Sequence, residues 1–254
     1  MEILITNDDG WGVQGLMTLA RHMTKLGHVT IVAPDGPRSS MSNSISLTKP
    51  MTMEKVDLKD CNDFSEEEKK HIDAYISSGT PSDCVKLALN VLFHDDASRV
   101  DLLVSGINHG SNASINVVYS GTMGACFTGC EHGIKAIGFS IYTHEQPTDM
   151  SNFEPYIIEL TRHLLSEPWQ PLMCYNINAP LGKLNGVKWT RQCHGHWEKE
   201  IDVRQDENGK PIYWMTGNFV NEEPDATDTD EWAVANGYIS VQPCTADMTN
   251  YGAL

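Results

Sequence analysis

Ile3-Leu4-Ile5-Thr6-Asn7-Asp8-Asp9-Gly10 opens the chain, an apolar run that ends abruptly in two adjacent carboxylates and a glycine. Three consecutive β-formers at the very start predict a short buried strand over residues 2–6. In an open parallel sheet, ligands bind just beyond the carboxyl ends of such strands. Two anionic side chains placed there repel each other, and any phosphate, unless a cation neutralises them. A hard, oxygen-loving divalent ion such as Mg²⁺ or Mn²⁺ suits that donor pair. The bland alternative is that Asp8 or Asp9 caps the turn and the helix that follows.

Outward from this stretch the chain alternates strand and helix. Leu16, Leu19, Ala20, Met23 and Leu26 fall on one helical face, closed by Gly27, and Val29–Ala33 reads as the next strand, ended by Pro34. Thr80-Pro81-Ser82-Asp83 is a helix start with cap, proline and an acid three residues on, followed by the stripe Cys84, Val85, Ala88, Leu89 and Leu92. Val100–Ser105 reads as a central strand, the small residues from Gly121 to Gly133 as a closely packed helix, and 136–142, 153–165 and 172–177 continue the alternation. The pattern predicts an α/β protein with a doubly wound, mainly parallel sheet. After Asn178-Ala179-Pro180 the texture changes to short β-like pieces (187–192, 199–204, 211–215, 237–242) between polar turns. Residues 1–180 are therefore expected to form the core and 181–254 a β-rich arm for oligomerisation, with the last strand a candidate to return to the core. The acidic run from Glu222 to Glu231 reads as a solvated loop or a lid.

The chain has 254 residues, with 34 Asp plus Glu against 18 Lys plus Arg, a formal net charge of −16. That argues against a nucleic acid polymer or an anionic membrane as main partner, since both need a basic face. A small phosphorylated substrate stays open, because a metal can supply local positive charge. Seven cysteines, odd in number and without CxxC spacing, read as reduced, mostly buried thiols. Without the layout of a signal peptide or an apolar run long enough to span a membrane, the expectation is a cytoplasmic protein.

Three further segments are expected at the same sheet edge as Asp8 and Asp9. The loop Pro34 to Ser44 is rich in hydroxyls and amides, with Ser39 and Asn43 as candidate contacts. Val104-Ser105-Gly106-Ile107-Asn108-His109-Gly110 ends a central strand, and Asn108 offers a neutral oxygen. Tyr119-Ser120-Gly121-Thr122 opens a helix whose free N–H groups suit a phosphate, though Ser120 could simply be its cap. Together these supply what metal-assisted phosphoryl hydrolysis requires. Cys193-His194-Gly195-His196 is a weaker zinc candidate lacking an evident fourth ligand. Cys126 and Cys130 are expected to pack, and Trp189, Trp197 and Trp214 to pack the arm rather than stack bases. No G-x-S-x-G elbow, Walker loop or dinucleotide fingerprint is present.

The chain resembles the SurE (survival protein E) family of metal-dependent 5′/3′-nucleotidases. The matching segments are Ile5 to Gly10, Val32 to Asp35 with Arg38-Ser39, Asn43-Ser44, Ser78 to Val85, Val104 to Asn108, Tyr119 to Thr122, Asn176 to Asn178, and Thr229-Asp230 through Gly237 to Ser240, in family order over nearly the whole length. The resemblance implies a Rossmann-like core with a C-terminal β-hairpin arm exchanged in a homodimer or homotetramer. It implies one Mg²⁺ or Mn²⁺ per subunit on Asp8, Asp9, Ser39 and Asn108, with Asn43, Ser120, Gly121 and Thr122 around the phosphate. Two departures stand out: Phe127-Thr128-Gly129 replaces a more usual Glu-Gly pair, and Asn116 stands where Asp is common.

The expected activity is hydrolysis of nucleoside 5′- and 3′-monophosphates to nucleoside and phosphate, with Asp8 and Asp9 as the catalytic carboxylates. Either could serve as general base toward water, or Asp8 could form an aspartyl-phosphate. The alternatives are a nucleotide-binding sensor that does not hydrolyse, and a broad phosphatase or exopolyphosphatase.

Overall fold

The structure is a computed structural model describing residues 1–143 and 147–253. In chain order its main elements are β1 (Glu2–Thr6), α1 (Gln14–Met23), β2 (His28–Pro34), β3 (Met53–Lys55), α2 (Glu66–Lys69), β4 (Ile72–Ser77), α3 (Pro81–Leu87) and β5 (Leu102–His109). There follow α4 (Asn116–Tyr119), α5 (Gly121–Glu131), β6 (Lys135–Ile141), α6 (Glu154–Ser166) and β7 (Met173–Ala179). The last third holds β8 (Val187–Trp189), β9 (Gly195–Glu198), β10 (Ile201–Gln205), β11 (Pro211–Met215), β12 (Asn218–Asn221), α7 (Asp230–Ala235) and β13 (Ile239–Thr245).

Nine strands form one sheet in the order β3-β4-β2-β1-β5-β6-β7-β13-β8. The six from β4 to β7 run parallel, β3 and β13 pair antiparallel with their inner neighbours, and β8 runs parallel to β13. This is the α/β, Rossmann-like doubly wound sheet. Alternation along β1 shows why it is covered on both faces. Ile3 and Ile5 join the cluster of α1 and α6 with Leu16, Leu19, Met23, Ile157 and Leu164, while Leu4 joins that of α3 and α5 with Val85, Leu89, Met123 and Cys126. A strand with water on neither side reads as a near-continuous apolar run rather than an alternation.

Strand order reverses at β1, which pairs with β2 on one side and β5 on the other. That switch point leaves a crevice beyond the carboxyl ends of β1 and β5, the usual ligand position in such sheets. The loop after Thr6 and the end of β5 at Asn108 meet there.

β8 and β13 belong to the main sheet, so outside it stand the hairpin β10–β11 and the pair β9–β12. The acidic run ends differently from its solvated reading. Thr229 caps α7, accepting from Trp232 N, and Asp230 is fully buried. Its carboxylate accepts backbone N–H bonds from Ser114 and Cys193, at 2.8 and 2.9 Å, and from Glu231. A buried carboxylate with three donors is tolerated where an isolated one is not. None of the seven cysteines forms a disulfide, and five are buried. No helix among the described residues is long and apolar enough to cross a membrane.

Candidate metal and phosphate site

Capping does not explain the twin acids after β1. Asn7 makes the turn itself, its Nδ2 donating to Gly10 O at 2.9 Å and its Oδ1 accepting from Gly10 N at 3.3 Å. The N-terminal flank of α1 is Val13, which caps with no side chain. Asp8 and Asp9 are thus free for other work.

Three loops fold onto Asp8. The main chain after β2 is tied to it by Arg38 N–H donating to Asp8 O at 2.7 Å, which brings Ser39 alongside. From the start of α5, the Thr122 hydroxyl donates to Asp8 Oδ1 at 2.6 Å. Gly121 permits this approach: a Cβ there would lie 2.9 Å from Asp8 Cβ and 3.1 Å from its Oδ2. From β5, His109 N–H donates to Asp9 Oδ2 at 3.3 Å, and its ring Nδ1 lies 3.5 Å from the same oxygen.

The result is a cleft of about 290 Å³ lined by Asp8, Ser39, Asn108, His109, Asn116 and Ser120 among others. Burial, reinforced by Asp9 and opposed by the Thr122 hydrogen bond, pushes the Asp8 carboxyl up to about 6. Among the described residues, neither Asp8 nor Asp9 forms an ion pair with lysine or arginine; Arg38 turns instead to Asp35. Asn108 donates its Nδ2 to Gly110 O at 2.9 Å, a bond that fixes the amide while leaving its carbonyl oxygen for a ligand. Two carboxylates without a described lysine or arginine partner, plus neutral oxygens from Asn108 and Ser39, fit a hard divalent ion.

Among the described residues, no three His, Cys, Asp or Glu side chains converge as a metal cluster. The zinc candidate therefore gains no partner: His194 and His196 lie beside Glu223 and Glu222. The oxygen site would use only two acids.

The phosphate candidates separate into two groups. Ser120 caps α5, accepting from Met123 N at 3.1 Å, and still lines the cleft, where its own proton remains to be donated. Thr122 spends its hydroxyl on Asp8, so its place in the cradle is to orient a carboxylate. Asn43 does not line the cleft. Its Oδ1 accepts from the hydroxyls of Ser82 and Thr128, both at 2.7 Å. The Thr80–Asp83 capping box pins the same loop, with Asp83 accepting from Ser46 N and Oγ. Thr128, one of the departures, thus anchors Asn43.

Thr122→Val keeps the shape and deletes the donor. It is expected to lower kcat/KM about 10- to 100-fold, the usual cost of losing a residue that orients a metal ligand. Steady-state kinetics with thermal melting checks this; unchanged kinetics would remove Thr122 from the site.

Two sets of residues escaped the sequence reading. His109 is buried at the cleft, and neither ring nitrogen has a hydrogen-bond partner among the described residues. The loop after β5 is held by an amide network: Asn112 N donates to Asn178 Oδ1, Asn112 Nδ2 to Ser140 Oγ, and Asn176 Nδ2 to Asn112 O, each at 2.8 Å. The visible signal was Asn176-Ile177-Asn178, two amides on one face of an otherwise apolar strand.

Fold and site together define a Rossmann-like α/β protein whose switch-point cleft gathers carboxylate, amide and hydroxyl oxygens beside a helix N-terminus. Residues 3–199 match the family model described as Survival protein SurE, and the chain belongs to that family. It is 42% identical to the 5′-nucleotidase SurE of Flavobacterium psychrophilum, over 99% of this chain and 94% of that one. It is 40% identical to the protein of the same name from Phocaeicola vulgatus, over 99% and 93%. The crystal structure of the SurE protein from Aquifex aeolicus superposes with a TM-score of 0.81 at 31% identity, covering 100% of this chain and 97% of that one.

Proposed function

We propose that this chain is a divalent-metal-dependent phosphomonoesterase that hydrolyses nucleoside 5′- and 3′-monophosphates to nucleoside and phosphate. The observation that carries the reading is the pair Asp8 and Asp9, buried or nearly so, unneutralised by any described lysine or arginine, with Asp8 set against the start of α5 through Thr122 and Gly121. The family relatives named 5′-nucleotidase supply the substrate class.

Asp8, Asp9, Ser39 and Asn108 would hold one Mg²⁺ or Mn²⁺. When bound, such an ion supplies Lewis-acid polarisation of a phosphoryl oxygen and lowers the pKa of a bound water. The rest is done by the chain. Ser120 and the first amides of α5 donate to the phosphoryl oxygens, with Gly121 keeping the backbone close and Asn43 at the flank. Thr122 and His109 N–H orient the two carboxylates. Asp9, with 16% of its side chain exposed, is the better placed of the pair to take a proton from water, since Asp8 is buried and held by Thr122.

A sensor that binds nucleotide without cleaving it has no use for two carboxylates beside a phosphate, which favours hydrolysis. Phosphate release from a panel of 5′- and 3′-mononucleotides and polyphosphate, with and without chelator, tests the reading. Release that requires Mg²⁺ or Mn²⁺ supports it. Saturable nucleotide binding without release would show a sensor, and preferential release from polyphosphate an exopolyphosphatase. Asn108→Ala is expected to raise the metal concentration for half-maximal rate about tenfold or more without changing substrate preference. An unchanged metal requirement would remove Asn108 from the ligand set.

The hairpin β10–β11 exposes Ile201, Val203, Tyr213, Trp214 and Met215. So much apolar surface on an arm outside the main sheet supports assembly into a homodimer or homotetramer. Seven unbridged thiols suit a cytoplasmic location.

A further inference from the structure

Beside the phosphate cleft lies a second hollow of about 360 Å³, and Ser111 and Asn116 line both. Its other walls include Tyr142, Trp197, Phe219 and Glu231. The aromatic wall belongs to the β9–β12 pair, where Phe219 stands directly opposite Trp197, ring centroids 5.9 Å apart at 64°. Gly195 makes room for it: a Cβ there would lie 2.4 Å from Phe219 Cζ and 2.7 Å from Val220 O. Trp197 Nε1 donates to Asn116 Oδ1 at 2.9 Å, fixing the indole at the junction of the two hollows. Trp197, expected from sequence to pack the arm, therefore faces a cavity next to the proposed chemistry.

Glu231 is the unusual member of this lining. Its carboxylate accepts no hydrogen bond from any described residue, while its backbone N–H goes to Asp230. Burial, with Asp230 adding to it, pushes its carboxyl up to about 7. A carboxylate set among aromatic rings without donors is costly unless a ligand brings them.

We propose that this hollow is the nucleobase subsite, packing a purine against the aromatic wall of Trp197, Phe219 and Tyr142 and presenting the Glu231 carboxylate to the N–H edge of the base. The inference rests on the mononucleotidase reading above and adds its specificity. Aromatic faces accept any base, and the larger purine face gains more from them. One carboxylate accepts both N1–H and N2–H of guanine, one N–H of adenine, and meets carbonyl oxygens flanking the single N–H of uracil. The expected order is guanine, then adenine, then uracil.

Calorimetric titration of guanosine and uridine reads the subsite without the phosphate reaction. Wild type at pH 8.5 is expected to bind guanosine at least about tenfold tighter than uridine, in the range that stacking and base contacts supply. Trp197→Leu is expected to weaken guanosine about tenfold. Because that change could also loosen the arm, Glu231→Gln on the separate helix α7 is the second variant, expected to weaken guanosine about tenfold and uridine less than twofold. In turnover, both variants should lower kcat/KM for GMP relative to that for ribose 5-phosphate, which has no base. Equal binding of guanosine and uridine, or an unchanged GMP to ribose 5-phosphate ratio in both variants, overturns the subsite and leaves the phosphatase reading standing. Guanosine binding that responds to both variants, in a protein releasing no phosphate from any mononucleotide, upholds the subsite and fails the reaction.

Discussion

Asp8→Asn is expected to lower kcat/KM by about 10³-fold or more and, at the same time, to raise the melting temperature of the metal-free protein. The loss should exceed the 10²–10³-fold cost of deleting one electrostatic donor, because a charged ligand is replaced by a neutral one. The gain comes from the cost of the native charge. Asp8 is 5% exposed, and its carboxyl is raised from 3.8 to about 6 by burial and by Asp9. A displacement of that size corresponds to roughly 3 kcal/mol. Because the folded value lies above the unfolded one, the fold bears this cost in full above pH 6, where both states are ionised. The cost fades as pH falls from 6 toward 3.8. Asparagine carries no charge, and its Oδ1 still accepts from Thr122. At pH 8 the variant should melt several degrees higher, at about 2–4 °C per kcal/mol for a chain of this size. Its melting temperature should also respond little to Mn²⁺, whereas wild type should be stabilised by it. Near-normal turnover at limiting Mg²⁺, or an undiminished Mn²⁺ shift, would contradict the metal assignment.

Gly124→Ala is expected to lower kcat/KM about 10²-fold while altering no proposed ligand. A Cβ at Gly124 would lie 2.0 Å from Ser42 O, 2.6 Å from Ser42 C and 2.9 Å from Asn43 N. Those are backbone atoms and cannot rotate away. The loop must therefore leave α5 by an ångström or more, breaking the bonds from Ser42 N to Tyr119 O and from Ser42 Oγ to Val118 O. Ser39 and Asn43 travel with it, and a misplacement of about 1 Å in a positioning element is enough for 10²-fold. The loop is largely exposed and β1, β5 and the core behind α5 are untouched, so the melting temperature should fall only modestly. Kinetics and melting on one preparation check this. Retained activity would show that the loop does not contribute to the site.

Which parts of the molecule were legible in advance follows from the range of the forces involved. Ile3-Leu4-Ile5 declared a doubly covered strand because a sheet face repeats every second residue. The stripes of α1 and α3, and the Thr80–Asp83 cap, are likewise settled within a few residues. Asp8 and Asp9 were legible because repulsion between adjacent carboxylates is local, and because their place at a strand end is a property of the fold class. The β9–β12 pair and the buried start of α7 were missed, since each depends on a partner far along the chain. Asp230 looked solvated in an acidic run because its donors are Ser114 and Cys193.

The chain's own order of residues was enough to set the strands, the helices, their winding and the two acids at the switch point, since periodicity, capping and like-charge repulsion act between near neighbours. It took the folded molecule to assign Thr122 to Asp8 across 114 residues, to tie Asn43 to Ser82 and Thr128, and to bring Trp197 and Phe219 to the edge of the cleft. Hydrogen bonds and close contacts of that kind fall off within a few ångströms. They exist only once packing has brought distant segments together, and nothing in the local pattern records them.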